Sequence, residues 1–281
     1  MISKTAKITI IGLGMLGGSY AEGFFKEGYR VTGIDTDPDT IKFAMEKGWI
    51  TEGGSAPELV RDSDIVISGL YPLTFIEWIR ENHHLLKPGS ILTDVTGIKR
   101  KVIEEINEVI GPEVEFIACH PMAGTEFRGI AYADCEQFRT SNFIIVPTEN
   151  NTERAIETAR DIAEILKFRT VSVLSPEEHD RIIGFVSQMC HVIAISVMNM
   201  NDDPKLADYT GDSFRGLTRV ANINENLWPE LFICNKDNIL KHIDDLIDQI
   251  NLLRGYIDDE NIEEMKKLMI TATERRKKLD R

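Results

Sequence analysis

Ile8 to Tyr20, with the sequence ITIIGLGMLGGSY, is the stretch that decides the fold of this chain. It opens with β-branched apolar residues, which are typical of a strand buried on both faces of a sheet. Gly12, Gly14 and Gly17 follow in the order G-x-G-x-x-G. In a strand-to-helix turn, the first glycine allows the bend, the second lets the backbone approach a pyrophosphate, and the third lets the helix pack on the strand. The stretch therefore predicts a dinucleotide site at a helix N-terminus.

An acidic residue follows this turn at the expected spacing. Ala21 to Lys26 continue as a helix, and Tyr29 to Ile34 have the pattern of a second strand. Asp35 ends that strand about 20 residues after the glycines, where a carboxylate can bind the adenosine ribose hydroxyls. Because it would also repel a 2′-phosphate, it favours NAD over NADP. The alternative is that Asp35 caps the helix that begins at Pro38.

The composition limits the possible partners. A chain of 281 residues forms one large or two medium domains. The apolar content of 42% and the charged content of 28% are ordinary for a soluble globular protein. The formal net charge of −14 argues against a nucleic acid or an anionic membrane as partner. An anionic substrate would need a local group of arginines.

The cysteines indicate a reducing compartment. Cys119, Cys135, Cys190 and Cys234 are scattered without the spacing of a metal site, so we expect reduced thiols, no metal and a cytoplasmic location. No apolar leader precedes the first strand, and no uninterrupted run approaches 18 apolar residues. The sequence therefore predicts neither a signal peptide nor a transmembrane helix.

Strand and helix patterns alternate as far as Leu174, which predicts a parallel sheet with helices on both faces. From Ser175 onward only helical patterns follow, over Ile182 to Met200, Asn226 to Ile257 and Ile262 to Arg281. We therefore expect an α/β fold: a Rossmann-type domain over residues 1–174 and an all-α domain over residues 175–281. The helix over Ile182 to Met200 is apolar nearly all round, and its part Val186 to Met198 is apolar enough to predict that a second copy covers some of it in a homodimer.

Several residues beside the strand ends are candidates for binding or chemistry. Leu13, Met15 and Leu16 complete the glycine turn, and Tyr71 follows another buried strand; all are expected beside the cofactor. His120 opens the segment HPMAGTE after a strand and suits proton transfer near neutral pH, although it could be a structural histidine. His191 could equally be a core residue of its apolar helix, and His179-Asp180 a capping or domain-contact pair.

Two arginines offer a site for a dicarboxylate. Arg215 and Arg219 are four residues apart, so on one helical face both could meet the same anion. The alternative is a solvated helix face.

These motifs together resemble the prephenate/arogenate dehydrogenases of tyrosine biosynthesis. HPMAGTE at 120–126, SPEEHD at 175–180 and FRGLTR at 214–219 occur in family order, and the resemblance covers nearly the whole chain. It implies a Rossmann domain followed by a helical dimerisation domain. It also implies NAD-dependent oxidative decarboxylation of prephenate, a small-molecule substrate, to 4-hydroxyphenylpyruvate.

The resemblance also implies roles for individual residues. His120 would accept the proton of the ring hydroxyl, and Thr96 would stand where a serine orients that histidine. Arg219 would bind a substrate carboxylate, Glu126 would lie beside it, and His191 would reach the site from the helical domain. Many members have a histidine where this chain has Gln188, which puts the preference between prephenate and arogenate in doubt.

Other functions compete with this one. Arogenate dehydrogenase is the nearest alternative. The β-hydroxyacid and 6-phosphogluconate-type dehydrogenases share the glycine turn and a helical second domain, but they use a lysine in the long helix, and Ile182 to Met200 contains none. An NAD-sensing module would need neither the HPMAGTE segment nor paired arginines.

Overall fold

A computed structural model of the chain describes residues 1–124 and 127–279. Within them, an eight-stranded sheet has the order β3-β2-β1-β4-β5-β6-β7-β8. In chain order its strands are Ile8–Ile11 (β1), Val31–Ile34 (β2), Glu52–Gly54 (β3), Ile65–Ser68 (β4), Ile91–Asp94 (β5), Glu115–Pro121 (β6), Asn142–Val146 (β7) and Thr170–Val173 (β8).

The sheet is mostly parallel, as the alternation of strands and helices predicts, with one exception. β1 pairs in parallel with both β2 and β4, so the strand order reverses beside the glycine turn. β6 and β7 are antiparallel, with His120 opposite Ile144. The sequence did not indicate this reversal because a buried antiparallel strand has the same apolar composition as a buried parallel one. Ligands bind where the strand order reverses, beyond the carboxyl ends of the strands.

Helices cover both faces of the sheet. They are Met15–Lys26 (α1), Pro38–Glu46 (α2), Pro72–Asn82 (α3), Arg100–Asn107 (α4) and Glu153–Ile165 (α5). Ile8 and Ile10 belong to a core cluster that includes Phe24, whereas Ile11 belongs to a second cluster that includes Phe75. β1 is therefore buried on both faces, as its composition predicts.

The segment after β8 is helical throughout its regular elements. These are Pro176–Ile183 (α6), Met189–Met198 (α7), Asp212–Thr218 (α8), Trp228–Cys234 (α9), Lys236–Asp258 (α10) and Ile262–Lys277 (α11). A π-helical turn, Gly184–Gln188, joins α6 to α7. The single helix expected over Asn226 to Ile257 is interrupted at Asn235, where the chain also divides into compact units of residues 1–235 and 236–281.

The continuous helical stretch Pro176–Met198 differs from the sequence expectation. It is long and apolar enough to cross a membrane by length and composition, with a mean hydropathy of 1.6 in its most apolar 18-residue window. A count of uninterrupted apolar residues missed it because the window contains polar side chains. One such helix is weak evidence for a membrane span, since core helices have the same composition.

Candidate active site

A cavity of about 440 Å³ opens at the carboxyl ends of β1, β4, β5 and β6. Its wall on the sheet side includes residues that end or follow these strands, within 14–16, 69–72, 95–97 and 120–124. The opposite wall comes from the helical segment and includes Ser187, His191, Arg219 and Trp228. The cavity therefore joins the glycine turn to the candidate catalytic and substrate-binding residues.

The three glycines have separate structural roles. Gly12 has a φ of 81°, a conformation that side chains disfavour. A Cβ on Gly17 would lie 1.9 Å from Gly12 O, so only glycine allows α1 to start this close to β1. A Cβ on Gly14 would meet nothing within 4 Å, and Gly14 lines the cavity. This open cradle at the N-terminus of α1 fits a pyrophosphate.

Asp35 is bonded to the glycine turn. Its Oδ2 accepts a hydrogen bond from Leu13 N at 2.8 Å, and its Oδ1 accepts one from Asp37 N at 3.0 Å. The cap of α2 is Asp37, whose carboxylate accepts from Asp39 N. The alternative role of Asp35 as that cap is therefore wrong, and its carboxylate lies where β2 ends beside the turn.

The other residues expected beside the cofactor divide into two groups. Met15, Leu16 and Tyr71 line the cavity, and Tyr71 Oη accepts a hydrogen bond from Asn224 Nδ2 at 2.6 Å. Leu13 is buried and is not part of the cavity wall. Its side chain packs beside Gly33, so it contributes through its backbone N–H to Asp35.

His120 lies at the end of β6 and lines the cavity. Its Nδ1 lies 2.9 Å from His179 Nε2. Its Nε2 faces Gly97, which also lines the cavity, and lies 3.8 Å from where a Cβ on Gly97 would be. Burial, the neighbouring His179 ring and the Lys99 cation hold the pKa of His120 well below its usual 6.5. The ring is therefore neutral near pH 7 and can accept a proton.

His179 and Asp180 form a second layer behind His120. His179 Nδ1 lies 2.8 Å from Asp180 Oδ1, and both side chains are fully buried. Asp180 also accepts hydrogen bonds from the backbone N–H groups of Lys99 and Arg100, which begin α4. Of the two roles expected for this pair, these bonds provide the capping one, at the start of α4. The contact with His120 could not be predicted, because the two histidines are 59 residues apart.

A buried ion pair lies under the same wall. Lys99 Nζ is 2.6 Å from Asp94 Oδ2 and 3.1 Å from Thr96 Oγ1, and neither Lys99 nor Asp94 exposes its side chain. The Thr96 hydroxyl also bonds Asp94 and Ile98 O. Thr96 lines the cavity as expected, but these contacts hold its hydroxyl within the loop after β5. The sequence places Lys99 in a candidate segment beside a strand end but assigns it no role.

The helical segment brings His191 and Arg219 to the cavity and leaves Arg215 outside its wall. His191 Nδ1 donates to Val220 O at 3.0 Å, and its ring packs on Trp228. Of the two arginines expected to share one anion, Arg219 belongs to the wall and Arg215 does not; α8 ends at Thr218, and Arg219 begins a 3₁₀ turn. Arg215 instead donates from Nε to Thr210 Oγ1 at 3.3 Å.

Gln188 belongs to the cavity wall, but its polar atoms are occupied. Its Nε2 donates to Leu231 O at 3.2 Å, and its Oε1 accepts from Asn235 Nδ2 at 2.7 Å. These two bonds tie the carboxamide to Leu231 and Asn235 and fix its orientation in the wall. Glu126, the remaining candidate, lies outside the described residues.

Comparison with protein families identifies this arrangement. Residues 21–172 match the family model of the prephenate dehydrogenase nucleotide-binding domain, and residues 175–271 match that of the prephenate dehydrogenase dimerization domain. The chain belongs to the prephenate dehydrogenase family. Its members include NAD-dependent oxidoreductases, and the open cradle at Gly14 fits that cofactor.

Individual relatives agree with this assignment. Prephenate dehydrogenase of Bacillus subtilis is 27% identical over 96% of this chain and 75% of its own length. Cyclohexadienyl dehydrogenase of Zymomonas mobilis is 26% identical over 89% of this chain and 88% of its own length. The crystal structure of prephenate dehydrogenase from A. aeolicus, in complex with hydroxyphenyl propionate and NAD+, superposes with a TM-score of 0.91 at 27% identity and covers 99% of both chains.

Proposed function

We propose that this protein is an NAD-dependent prephenate dehydrogenase, which converts prephenate to 4-hydroxyphenylpyruvate and CO₂ in tyrosine biosynthesis. The observation that carries the proposal is the arrangement of one cavity. It starts at a dinucleotide turn, has a neutral histidine in its wall on the sheet side and has an arginine in its opposite wall. Membership of the prephenate dehydrogenase family supports the same reaction.

We propose that the cofactor binds along the carboxyl ends of β1 and β2. The backbone N–H groups that begin α1 would hold the pyrophosphate, with Gly14 leaving the necessary space. Asp35 would bind the ribose hydroxyls and exclude a 2′-phosphate. NAD bound there supplies the acceptor for the hydride.

His120 would control the proton of the ring hydroxyl. Its Nε2 would take that proton while the hydride leaves the same ring carbon and the opposite carboxylate departs as CO₂. It would then return the proton to the ring oxygen, so the ring becomes a phenol and no net proton is released. A base held at hydrogen-bond distance stabilises the carbonyl character that develops in the transition state.

The other residues of the cavity wall would hold the substrate in position beside His120 and the cofactor. Arg219 would bind a carboxylate of prephenate, and His191, which is held by its bond to Val220 O, would contact the substrate from the same wall. Thr96 would position the hydroxyl end of the ring. Gln188 would shape the wall through its bonds to Leu231 and Asn235.

We further propose that the protein is a cytoplasmic homodimer with domains of residues 1–174 and 175–281. Four free cysteines among the described residues are consistent with a reducing compartment. The family model of a dimerization domain over residues 175–271 supports the second copy. The regular strands end at Val173, and α6 begins at Pro176, which supports the boundary.

The purified chain tests the proposal directly. NADH formation at 340 nm should follow addition of prephenate and NAD, with 4-hydroxyphenylpyruvate and CO₂ in equal amounts. Parallel reactions with arogenate, and with NADP in place of NAD, measure specificity. A larger kcat/KM for arogenate would instead make the chain an arogenate dehydrogenase, and activity only on hydroxyacids would exclude both functions.

A further inference from the structure

Three side chains form a hydrogen-bonded row that leads away from the cavity. His120 Nδ1 lies 2.9 Å from His179 Nε2, and His179 Nδ1 lies 2.8 Å from Asp180 Oδ1. The rings of the two histidines meet edge to face, with centroids 5.1 Å apart. Only His120 reaches the cavity wall, because His179 and Asp180 are fully buried.

The direction of each hydrogen bond follows from its acceptor. The Asp180 carboxylate accepts from the backbone N–H groups of Lys99 and Arg100 at 2.8 and 3.0 Å, which stabilises its ionised form. His179 must therefore donate to it from Nδ1. Neutral His179 then has its lone pair on Nε2, so His120 must donate from Nδ1. That tautomer leaves the lone pair of His120 on Nε2, which faces the cavity.

We propose that His179 and Asp180 are positioning residues that fix the Nδ1–H tautomer of His120 and so keep its Nε2 ready to accept the substrate proton. The inference rests on the proposed function of His120 as the proton acceptor. Without the row, either nitrogen of His120 could carry the proton, and the Nε2–H form could not act as a base. Fixing one tautomer therefore keeps the whole population of the enzyme active.

The charges around the row favour the neutral state of both rings. The Lys99 ammonium faces the histidines from the loop before α4 and is paired with Asp94, while Arg100 Nε lies 3.4 Å from Asp180 Oδ2. Burial and Lys99 lower the pKa of His179, although the hydrogen bond to Asp180 opposes them. Burial would raise the pKa of Asp180, but the His179 bond and the two backbone N–H groups hold it below its usual value.

Asp180→Asn tests the direction of the hydrogen bonds in this row and changes the shape of the side chain little. The amide can donate to His179, which allows His179 to turn its proton toward His120 and forces the Nε2–H tautomer there. In serine proteases the equivalent change lowers kcat by about 10⁴-fold through the wrong tautomer. We expect kcat for prephenate to fall by about 10²–10⁴-fold, with the KM for NAD within about threefold of wild type.

His179→Gln and His179→Leu separate positioning from packing. Glutamine can place its Oε1 near the position of Nε2 and still accept from His120 Nδ1, whereas leucine has a similar volume and no acceptor. We expect kcat of the glutamine variant to exceed that of the leucine variant at least tenfold. His84→Gln, at an exposed histidine away from the cavity, is the control and should match wild type.

Nitrogen NMR of histidine-labelled full-length protein reads the tautomer without substrate. The His120 resonances are assigned by their loss in His120→Gln. Wild type should show a protonated Nδ1 and an unprotonated Nε2, and Asp180→Asn should reverse or mix them. An unchanged tautomer in Asp180→Asn, or equal kcat in the two His179 variants, would overturn the inference. A tautomer change in a protein that does not oxidise prephenate would refute only the proposed function.

Discussion

At the scale of single residues, the environment of His120 determines its chemistry. Burial, the His179 ring and the Lys99 cation all disfavour the imidazolium and lower its pKa. Protonation therefore begins only at a pH below the usual 6.5. We expect kcat/KM to stay constant as the pH falls from 8 to about 6.5 and to decline only in more acidic solution, where Nε2 gains its proton.

His120→Gln should remove this acid limb. A glutamine amide can still contact the ring hydroxyl from the position of Nε2, but it cannot take the proton. We expect kcat to fall by about 10²–10⁴-fold, the usual contribution of a general base, with the fold checked by circular dichroism. A glutamine variant that keeps the wild-type kcat and acid limb would transfer the role to another group, with His191 the next candidate.

The two arginines provide a matched pair of variants. Arg219 lines the cavity, whereas Arg215 lies outside its wall and donates to Thr210. A charge-assisted hydrogen bond contributes about 1.5–3 kcal/mol, so Arg219→Ala should raise the KM for prephenate by about 10–150-fold. Arg215→Ala should leave it within about twofold. Equal effects in steady-state kinetics would contradict the placement of the substrate carboxylate at Arg219.

At the scale of elements, substitutions at two glycines of the turn distinguish an effect on folding from an effect on cofactor binding. A Cβ on Gly17 would collide with Gly12 O, so Gly17→Ala must displace α1 from β1, at a cost of about 1–3 kcal/mol. A Cβ on Gly14 would meet only open space, so Gly14→Ala should retain the wild-type Tm. Both should weaken NAD binding in calorimetry, because the methyl group of Gly14→Ala enters the pyrophosphate cradle. A wild-type Tm for Gly17→Ala would refute this packing argument.

Local patterns were sufficient to predict most of the regular elements. The apolar run of β1 and the glycines after it encode their own conformations, so the first strand, α1 and the dinucleotide turn follow from the sequence. Glu52–Gly54 has no apolar residue and became a strand only by pairing with β2. The π-helical turn at Gly184–Gln188 was equally hidden, since its composition matches that of an α-helix.

The site was less predictable than the fold, for a physical reason. His120, Thr96, His191 and Arg219 were candidates from motifs, and the structure brings all four to one cavity. Sequence could not show that Gln188 is bonded to Asn235, or that His179 reaches His120, because hydrogen bonds between distant residues depend on packing. For the same reason the sequence could not show that Arg215 lies outside the cavity wall.

At the scale of the whole molecule, the net charge of the protein and the charge of its substrate have the same sign. The chain carries a formal charge of −14, and prephenate is a dianion, so the overall field opposes their encounter. Arg219 in the cavity wall can offset this locally, whereas Arg128 in the same wall is paired with Glu225 and the buried Lys99 is paired with Asp94. We therefore expect substrate affinity to depend on Arg219 at close range.

The apolar surface of the segment between α6 and α7 predicts the assembly. Phe185 and Val186 in the π-helical turn are 65% and 52% exposed, and Met198 at the end of α7 is also exposed. Exposed apolar side chains in water favour association, and a second copy of the same surface is the simplest partner. We expect light scattering at micromolar concentration to give twice the chain mass of 31.8 kDa.

Val186→Glu should shift this equilibrium toward the monomer, because burying a carboxylate in an apolar interface is costly. Met45→Glu is the matched control, since Met45 is similarly exposed but lies on α2 of the nucleotide-binding domain. The control should remain dimeric with an unchanged Tm. A wild-type protein that stays monomeric and active at micromolar concentration, or a Val186→Glu variant as dimeric as the control, would place the interface elsewhere or exclude it.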